Sequence, residues 1–458
     1  MKRKLDYTAA LATTAAVALL AGAAHAQMGG APQVCTTTQT SPAHNDCVMP
    51  TASAPGGGSF PGSFLVPGTN TSFAVHGFIQ FDLTQDFGQH SAGDTNWGVS
   101  TGLNIEGPGV TASQAHSMNG GITMGVKPTR PNIETRTPTA YGELKTYIEF
   151  DFNQTSGSQL GGNADLVRLR QAYGTLGPWL IGQADTLFED AQTWADIAAG
   201  AQDVGVIQSG IRRHPQIRYT WLAGNGLSVA GSAEMPTYNA AVGNQIGSAA
   251  NGVAVATSSA NETTSISHTP HFIGAVEWDQ PWGHIKGSVM AGVNDFRNST
   301  GASVSNLNHQ TSQWAVRLGG HLNTWGKDAL RGGVWYNKGG SDYSDDMFQG
   351  GEVYNTTSGA HVSTKEIAAY GTYEHFFNGQ WRGNVSAGWA HISGNPGFAS
   401  TVTLATLERE HFTSEVNVIY SPVPQTDFIM EWQHAYRKVQ SNADGTENRL
   451  DAQFKFYF

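Results

Sequence analysis

The sequence predicts an all-β protein, a transmembrane antiparallel up-and-down barrel of about 16 strands with a third loop folded inward. Three observations predict it. Composition comes first: 13% of the 458 residues are charged and 39% hydrophobic, with 56 Gly and 10% aromatics. Typical soluble domains carry roughly a quarter charged residues. The second is period-two alternation of apolar side chains, which makes a strand with a different solvent on each face. The third is the sorting of connections into short and long in strict alternation, the pattern of barrels with short periplasmic turns and long outer loops. A helical membrane protein is excluded, because beyond the N-terminus no run approaches the 18 or so apolar residues a spanning helix needs. Disorder is excluded by the recurrence of Trp, Tyr and Phe along the chain.

The elements follow in chain order. Residues 1–26 read as a secretory signal peptide: Lys2, Arg3 and Lys4 are the basic region, Leu11 to Ala24 the short apolar stretch, and Ala24-His25-Ala26 a small-x-small cleavage site. Its removal takes away three bases and one acid, Asp6, moving the formal charge from −11 to −13. That sign argues against nucleic acid as a partner. Residues 27–72, rich in Gly, Pro, Ser, Thr and Ala, read as a flexible periplasmic extension. It holds both cysteines, Cys35 and Cys47, and in an oxidising compartment a disulfide between them is the default. His44 lies between them, but two Cys and one His fall short of a tetrahedral metal set.

Residues 73–458 read as the barrel. Its strands are expected to begin near Phe73, Ile122, Gly142, Asp165, Trp179, Ile211, Leu227, Pro270, His284, Ser312, Ala329, Thr364, Trp381, Arg409, Thr426 and Glu447. In the last, Leu450, Ala452, Phe454, Phe456 and Phe458 share one face, while Arg449, Asp451, Gln453, Lys455 and Tyr457 share the other. Trp179, Trp221, Trp278, Trp282, Trp325 and Trp381 fall in or near short turns, where the amphipathic rings of an interfacial girdle belong. The terminal Phe458 is similar to the assembly signal read by the outer-membrane barrel assembly machinery. The outer face is expected to meet lipid and lipopolysaccharide.

Basic side chains follow the polar parity, because a charge facing lipid at mid-bilayer costs about 2–4 kcal/mol. Arg130, Arg136, Lys145, Arg168, Arg170, Arg218, Lys286, Arg317, Arg331, Arg382, Arg449 and Lys455 all take it. Inward charge implies a hydrated lumen. Arg168 and Arg170 sit two residues apart on one strand, roughly 7 Å along it. Arg218 lies at comparable height two strands on, and Arg212 and Arg213 enter from the upper end of that strand. With Arg130 these are the candidate pore-lining residues. The bland alternative is a set of wall-holding ion pairs with acids such as Glu149 and Asp151. In the loop Leu187 to Gly210, Glu189, Asp190 and Asp196 punctuate a short helical pattern ending near Gly200, and they are the candidate constriction acids facing the arginines across an aqueous gap. Asp82, Glu134, Glu277, Glu374, Glu415 and Glu431 also take the lumen parity and oppose an anion preference.

The stretches Arg136 to Phe152, Val167 to Gln183 (VRLRQAYGTLGPWLIGQ) and Pro215 to Thr220 (PQIRYT) resemble the DcaP-like porins of Gram-negative bacteria. The resemblance is specific within roughly residues 120–235. It implies a 16-stranded homotrimer that passes small anionic solutes, with dicarboxylates the suggested class, and it carries Arg168, Arg170 and Arg218 over as pore-lining. The sequence departs from the family in lacking a heptad in residues 27–70 and in the loop after Phe188-Glu189-Asp190.

No enzyme motif is present: there is no Gly-x-Ser-x-Gly elbow, no His-Glu-x-x-His, and no phosphate or dinucleotide loop between strand and helix. His268 and His271 form a His-x-x-His pair in a long loop, where solvation is commoner than metal binding. No cofactor, catalytic residue or metal ligand is therefore expected. A surface receptor or adhesin, and an outer-membrane hydrolase with its triad at the barrel rim, stand as the alternative functions.

Overall fold

A computed structural model of the chain describes residues 57–89, 112–117, 119–154, 166–198, 212–235, 253–255, 269–296, 309–340, 343–344, 352–355, 361–393, 408–440 and 442–458. Cys35, Cys47, the signal peptide, His268 and Gly200 lie outside them. The barrel strands are β1 (Ser72–Gly88), β2 (Arg130–Thr139), β3 (Gly142–Gln154), β4 (Leu166–Leu176), β5 (Trp179–Asp185), β6 (Arg213–Gly224), β7 (Leu227–Glu234) and β8 (His271–Gln280). They continue as β9 (Gly283–Phe296), β10 (His309–Asn323), β11 (Ala329–Lys338), β12 (Lys365–Phe376), β13 (Trp381–Ser393), β14 (Glu408–Tyr420), β15 (Thr426–Val439) and β16 (Asp444–Tyr457). Each pairs antiparallel with its sequence neighbour, and β1 pairs with both β2 and β16, so the sheet closes. Closure leaves no unpaired edge, which a β protein in lipid cannot tolerate. Fifteen of the sixteen strands begin within about three residues of the expected positions; β2 begins at Arg130, eight residues beyond the expected Ile122, where a separate short strand, Ile122–Gly125, starts.

Burial is inside-out. On β1, Gln80, Asp82, Thr84 and Asp86 are buried while Ile79 is exposed and the intervening Phe81, Leu83 and Gln85 are partly exposed. On β15, Asp427, Glu431 and Gln433 are buried and Met430 and Trp432 exposed. Val289, Leu318, Val385 and Val416 likewise present apolar side chains outward from mid-strand. A water-soluble sheet would put these faces the other way round; this arrangement fits hydrocarbon outside and a polar interior. The six tryptophans near the short turns are all exposed, as an interfacial girdle requires.

Turn chemistry sets the hairpin register. Asn225 and Gly226 both have positive φ (53° and 74°) and join β6 to β7 in two residues, the Asn-Gly geometry that matches strand twist. A Cβ at Gly226 would meet the Asp279 carbonyl at 1.9 Å, so glycine is required there on two counts. At the other end of the chain, Gly77 and Phe458 exchange both backbone hydrogen bonds (3.2 and 3.1 Å), tying the terminal residue to β1.

Some features lie outside the sequence reading. The second strand is broken: Ile122–Gly125 pairs with the upper part of β1, and Arg130–Arg136 with the lower part. Pro128 between them has no N–H to give the ladder, and the Thr129 hydroxyl accepts the Gln80 N–H at 3.1 Å. Ahead of β1, Phe64–Leu65 pairs with Ser72–Phe73, and the Arg136 guanidinium covers the Phe60 ring at 4.6 Å. Among the described residues, the helical pattern after Asp190 is one 3₁₀ turn, Ala191–Thr193, capped by the Asp190 side chain accepting the Gln192 N–H. The long connections also contribute a separate small sheet, Val253–Val255, Glu352–Asn355 and His361–Ser363. Among the described residues no helix is long and apolar enough to cross a membrane.

Candidate functional site

The charged wall on β2 to β6 starts from a β-bulge. Glu149 of β3 pairs with Gln171 of β4, and the next residue, Phe150, pairs with Leu169, leaving Arg170 as the extra residue. A bulge re-aims a side chain; here it lets Gln171 and Tyr173 below it and Arg168 and Arg170 above it all turn away from lipid. Arg170 reaches Glu149 at 2.7 Å and Asp151 at 2.9 Å, and Arg168 grips Asp151 through two hydrogen bonds of 2.6 and 2.9 Å. Arg130 lies 4.0 Å from Glu149, and Arg213 lies 4.0 Å from Asp185. Arg213 is within electrostatic reach of Arg170, Arg168 and Arg130, so the four form one cluster.

Arg218 differs from these. Among the described residues its hydrogen bonds go to neutral oxygens, Gln216 Oε1 at 2.9 Å and the Asp185 carbonyl at 2.5 Å. The other four guanidinium groups, of Arg130, Arg168, Arg170 and Arg213, share three carboxylates, Glu149, Asp151 and Asp185. Arg212 precedes β6, and its carbonyl accepts the Thr186 N–H at 2.9 Å, at the point where β5 hands over to the next segment.

That segment, 186–198, touches the polar face of strand after strand. The Leu187 N–H donates to Glu234 of β7 (2.8 Å), and Ser288 of β9 donates to the Phe188 carbonyl (2.7 Å). Lys286 of β9 donates to the Glu189 carbonyl (2.5 Å), and Arg317 of β10 pairs with the Glu189 carboxylate at 3.1 Å. His284 of β9 meets both Asp190 oxygens at 3.1 Å, and Thr193 bonds the Tyr370 hydroxyl of β12. Arg382 of β13 holds Asp196 at 2.8–2.9 Å, and Asn384 and Asn417 hold its carbonyl. The Ala198 N–H reaches Glu431 of β15 at 2.8 Å, and its carbonyl accepts from Gln453 of β16. Apolar contacts run alongside: Leu187 and Phe188 pack with Ile273, Met290 and Tyr343, and Ala195 and Ile197 with Trp335, Tyr370 and Ala390.

The structure therefore brings Arg130, Arg168, Arg170 and Arg213 together as one group with Arg218 nearby. Glu189, Asp190 and Asp196 find their partners elsewhere: the expected arginines across a gap are replaced by Arg317, His284 and Arg382. The physical reason is that the backbone of 186–198 runs along β7 to β16, which puts those cations at contact distance. The role of His284 is missing from the sequence reading; its signal, an inward parity beside the inward Asp279, was available. A second group of inward acids, Asp82, Glu415, Glu431 and Asp451, sits on β1 and β14 to β16. Its hydrogen-bond partners are chiefly amides, Gln80 and Gln453 for Asp82 and Gln433 and Asn417 for Glu431. Phe458, the candidate assembly signal, is 55% exposed at the barrel's end.

Comparison with known proteins places this architecture. The profile of the porin subfamily matches residues 61–456. Porin Omp2a of Brucella canis is 26% identical over 244 residues, which cover 50% of this chain and 54% of that protein. Porin Omp2b of Brucella suis is 25% identical over 299 residues, 60% of this chain and 69% of that protein. The chain spans about half the length of the first of these relatives. In fold, it is similar to the outer membrane channel DcaP of Acinetobacter baumannii, with a TM-score of 0.66 at 16% identity over 86% of this chain and 99% of that one. It is also similar to OmpT of Vibrio cholerae, with a TM-score of 0.51 at 10% identity over 86% and 100%. The chain belongs to the porin subfamily and is an outer-membrane β-barrel.

Proposed function

We propose that this chain is a diffusion channel of the outer membrane, passing small hydrophilic solutes and favouring anionic ones, with dicarboxylates the suggested class. The observation that carries this is the inside-out barrel whose inner wall on β2 to β6 holds more guanidinium groups than carboxylates. Unit charges about 4 Å apart at an effective dielectric near 20 interact by roughly 4 kcal/mol, enough to sort ions at a narrow point. Arg-lined constrictions are a common device of anion pores. Segment 186–198 is the inward-folded loop of this reading, narrowing the lumen from the β7 to β16 side and leaving Arg168, Arg213 and Arg218 partly exposed, with Arg130 and Arg170 buried beside them. Membership of a porin subfamily argues against the hydrolase alternative.

The proposed assembly is a homotrimer; one solved OmpT structure is described as a trimer form, and the likeness to it is one of fold. Phe458 is the proposed handle for the barrel assembly machinery, and the exposed apolar band the surface that meets lipid and lipopolysaccharide. Residues 1–26 and 27–72 are the proposed signal peptide and periplasmic extension, with Cys35 and Cys47 bridged. Purified protein in planar bilayers tests the channel: stepwise conductance in groups of three is expected, and a barrel that does not conduct would favour a receptor or adhesin. Liposome swelling with neutral and anionic solutes of matched size then reads the preference.

A further inference from the structure

Away from the arginine wall, three metal-ligating side chains converge on the β8–β9 hairpin. Register sets Asp279 directly across from His284, with Glu277 two residues back on the same face. One carboxylate oxygen from each acid and one ring nitrogen of His284 all lie within 4.8 Å of one another. His284 Nδ1 is 2.7 Å from Asp279 Oδ1 and 3.7 Å from Glu277 Oε1. Zn–N and Zn–O bonds of about 2.0–2.2 Å space tetrahedral ligand atoms roughly 3.4 Å apart. Glu277 already stands near that spacing, and a small rotation of Asp279 opens the rest. The Gln192 amide, on segment 186–198, lies 3.1 and 3.2 Å from the same Glu277 and Asp279 oxygens. Turned over, it presents an oxygen as a fourth ligand, and which way an amide points is set by its partners.

The other ring nitrogen supplies an independent observation. His284 Nε2 is 3.1 Å from both oxygens of Asp190, and His321 stacks on the imidazole at 5.6 Å and 14°. A metal-bound histidine characteristically gives its second N–H to a carboxylate, which fixes its tautomer and orientation. The neighbouring Lys286 ammonium turns to the Glu189 carbonyl and forms no ion pair with Glu277 among the described residues. His284 is buried, while the Asp279 side chain is half-exposed beside the short turn, which leaves an entry path.

We propose that Glu277, Asp279 and His284 bind a divalent metal of the Zn²⁺ class, with Asp190 as the positioning carboxylate. One imidazole nitrogen and two carboxylate oxygens suit Zn²⁺ better than the harder Ca²⁺ or Mg²⁺. Binding fastens residues 190–192 to the β8–β9 hairpin, so metal stiffens segment 186–198.

Calorimetric titration of the full chain in detergent with ZnCl₂, after chelator treatment, tests the site. One saturable site per chain is expected, weakened at least about tenfold in Glu277→Gln. Asp190→Asn should weaken it about 10–100-fold, the usual effect of losing a carboxylate behind a histidine ligand. Retained heat-modifiable migration on gels shows that each variant is folded. The absence of a saturable site, or an isotherm unchanged in Glu277→Gln, overturns the proposal. So does X-ray absorption reporting two or more imidazole ligands on bound zinc, because this site offers one.

Discussion

Two stretches of the inner wall carry the same kind of residue and use it differently. On β8 to β13, His284, Arg317 and Arg382 each meet a carboxylate brought to them by segment 186–198, at distances of 2.8–3.1 Å. On β2 to β6 no such segment lies over the wall among the described residues, and the carboxylates present come from the strands themselves. There Arg168 and Arg170 are paired, Arg130 and Arg213 are only loosely paired at 4.0 Å, and Arg218 bonds to neutral oxygens. On β8 to β13 the delivered acid bolts the inward cation to the segment, whereas on β2 to β6 the arginines meet only strand carboxylates and Arg218 hydrogen-bonds to neutral oxygens. Parity along the strand is identical in the two cases.

The comparison can be broken from the bolted side first. Arg317 pairs with Glu189 and lies over the Trp335 ring at 5.0 Å, with both side chains of the ion pair about 2% exposed. Removing one partner of a buried pair costs about 3–5 kcal/mol, so Arg317→Ala should lower the thermal unfolding midpoint measured by loss of heat-modifiable migration. It should also raise single-channel conductance as the segment loosens. A variant with native stability and conductance would show that Glu189 is not the anchor.

The membrane frame on which both walls hang comes next. Val289, at the middle of β9 and 56% exposed, faces outward. Val289→Arg should cost about 2–4 kcal/mol in bilayers and much less in detergent micelles, read as denaturant midpoints in the two media. Equal costs in both would mean that this face does not meet hydrocarbon.

A smaller effect is expected at the far end of the segment. Arg382 holds both Asp196 and Asp427, so Arg382→Gln loses charge-assisted bonds while Asn384 and Asn417 still hold the Asp196 carbonyl. Leaving buried groups short of partners costs about 1–3 kcal/mol. Conductance should rise less than in Arg317→Ala, and a larger rise would place the main anchor at Asp196.

The smallest change is a control outside both walls. In the turn between β10 and β11, burial pushes the Asp328 carboxyl up, but hydrogen bonds from the Phe376 N–H, His375 and Tyr373 outweigh it and hold the group below its ordinary value. A depressed carboxylate contributes stability that is complete above its unfolded value, near 4, and is lost as pH falls through the folded one. Asp328→Asn should therefore flatten the acid limb of the stability profile without altering conductance. A change in conductance would mean that the turn is coupled to the lumen.

Strand number, strand starts and parity were legible because lipid on one side and water on the other impose a strict period of two, visible in Leu450 to Phe458 without any partner. The arginine group was legible for the same reason, since Arg168, Arg170 and Arg218 take the inward parity of their own strands. The bulge at Arg170 was not, because it depends on the register between β3 and β4. The partners of Glu189, Asp190 and Asp196 were hidden too. Loop acids have no parity, and their neighbours, Arg317, His284 and Arg382, lie about 90 to 190 positions further along the chain.

The central claim is that the arginine group of β4 and β6, in which Arg218 hydrogen-bonds only to neutral oxygens among the described residues, selects solutes, and the reversal potential under a KCl gradient tests it most directly. The wild-type channel is predicted to be anion-selective. Arg218→Ser should shift the potential toward cations with little loss of stability, because its partners are neutral, and adding Arg168→Ser and Arg170→Ser should shift it further. A cation-selective wild type, or a triple variant with an unchanged potential, would contradict the account.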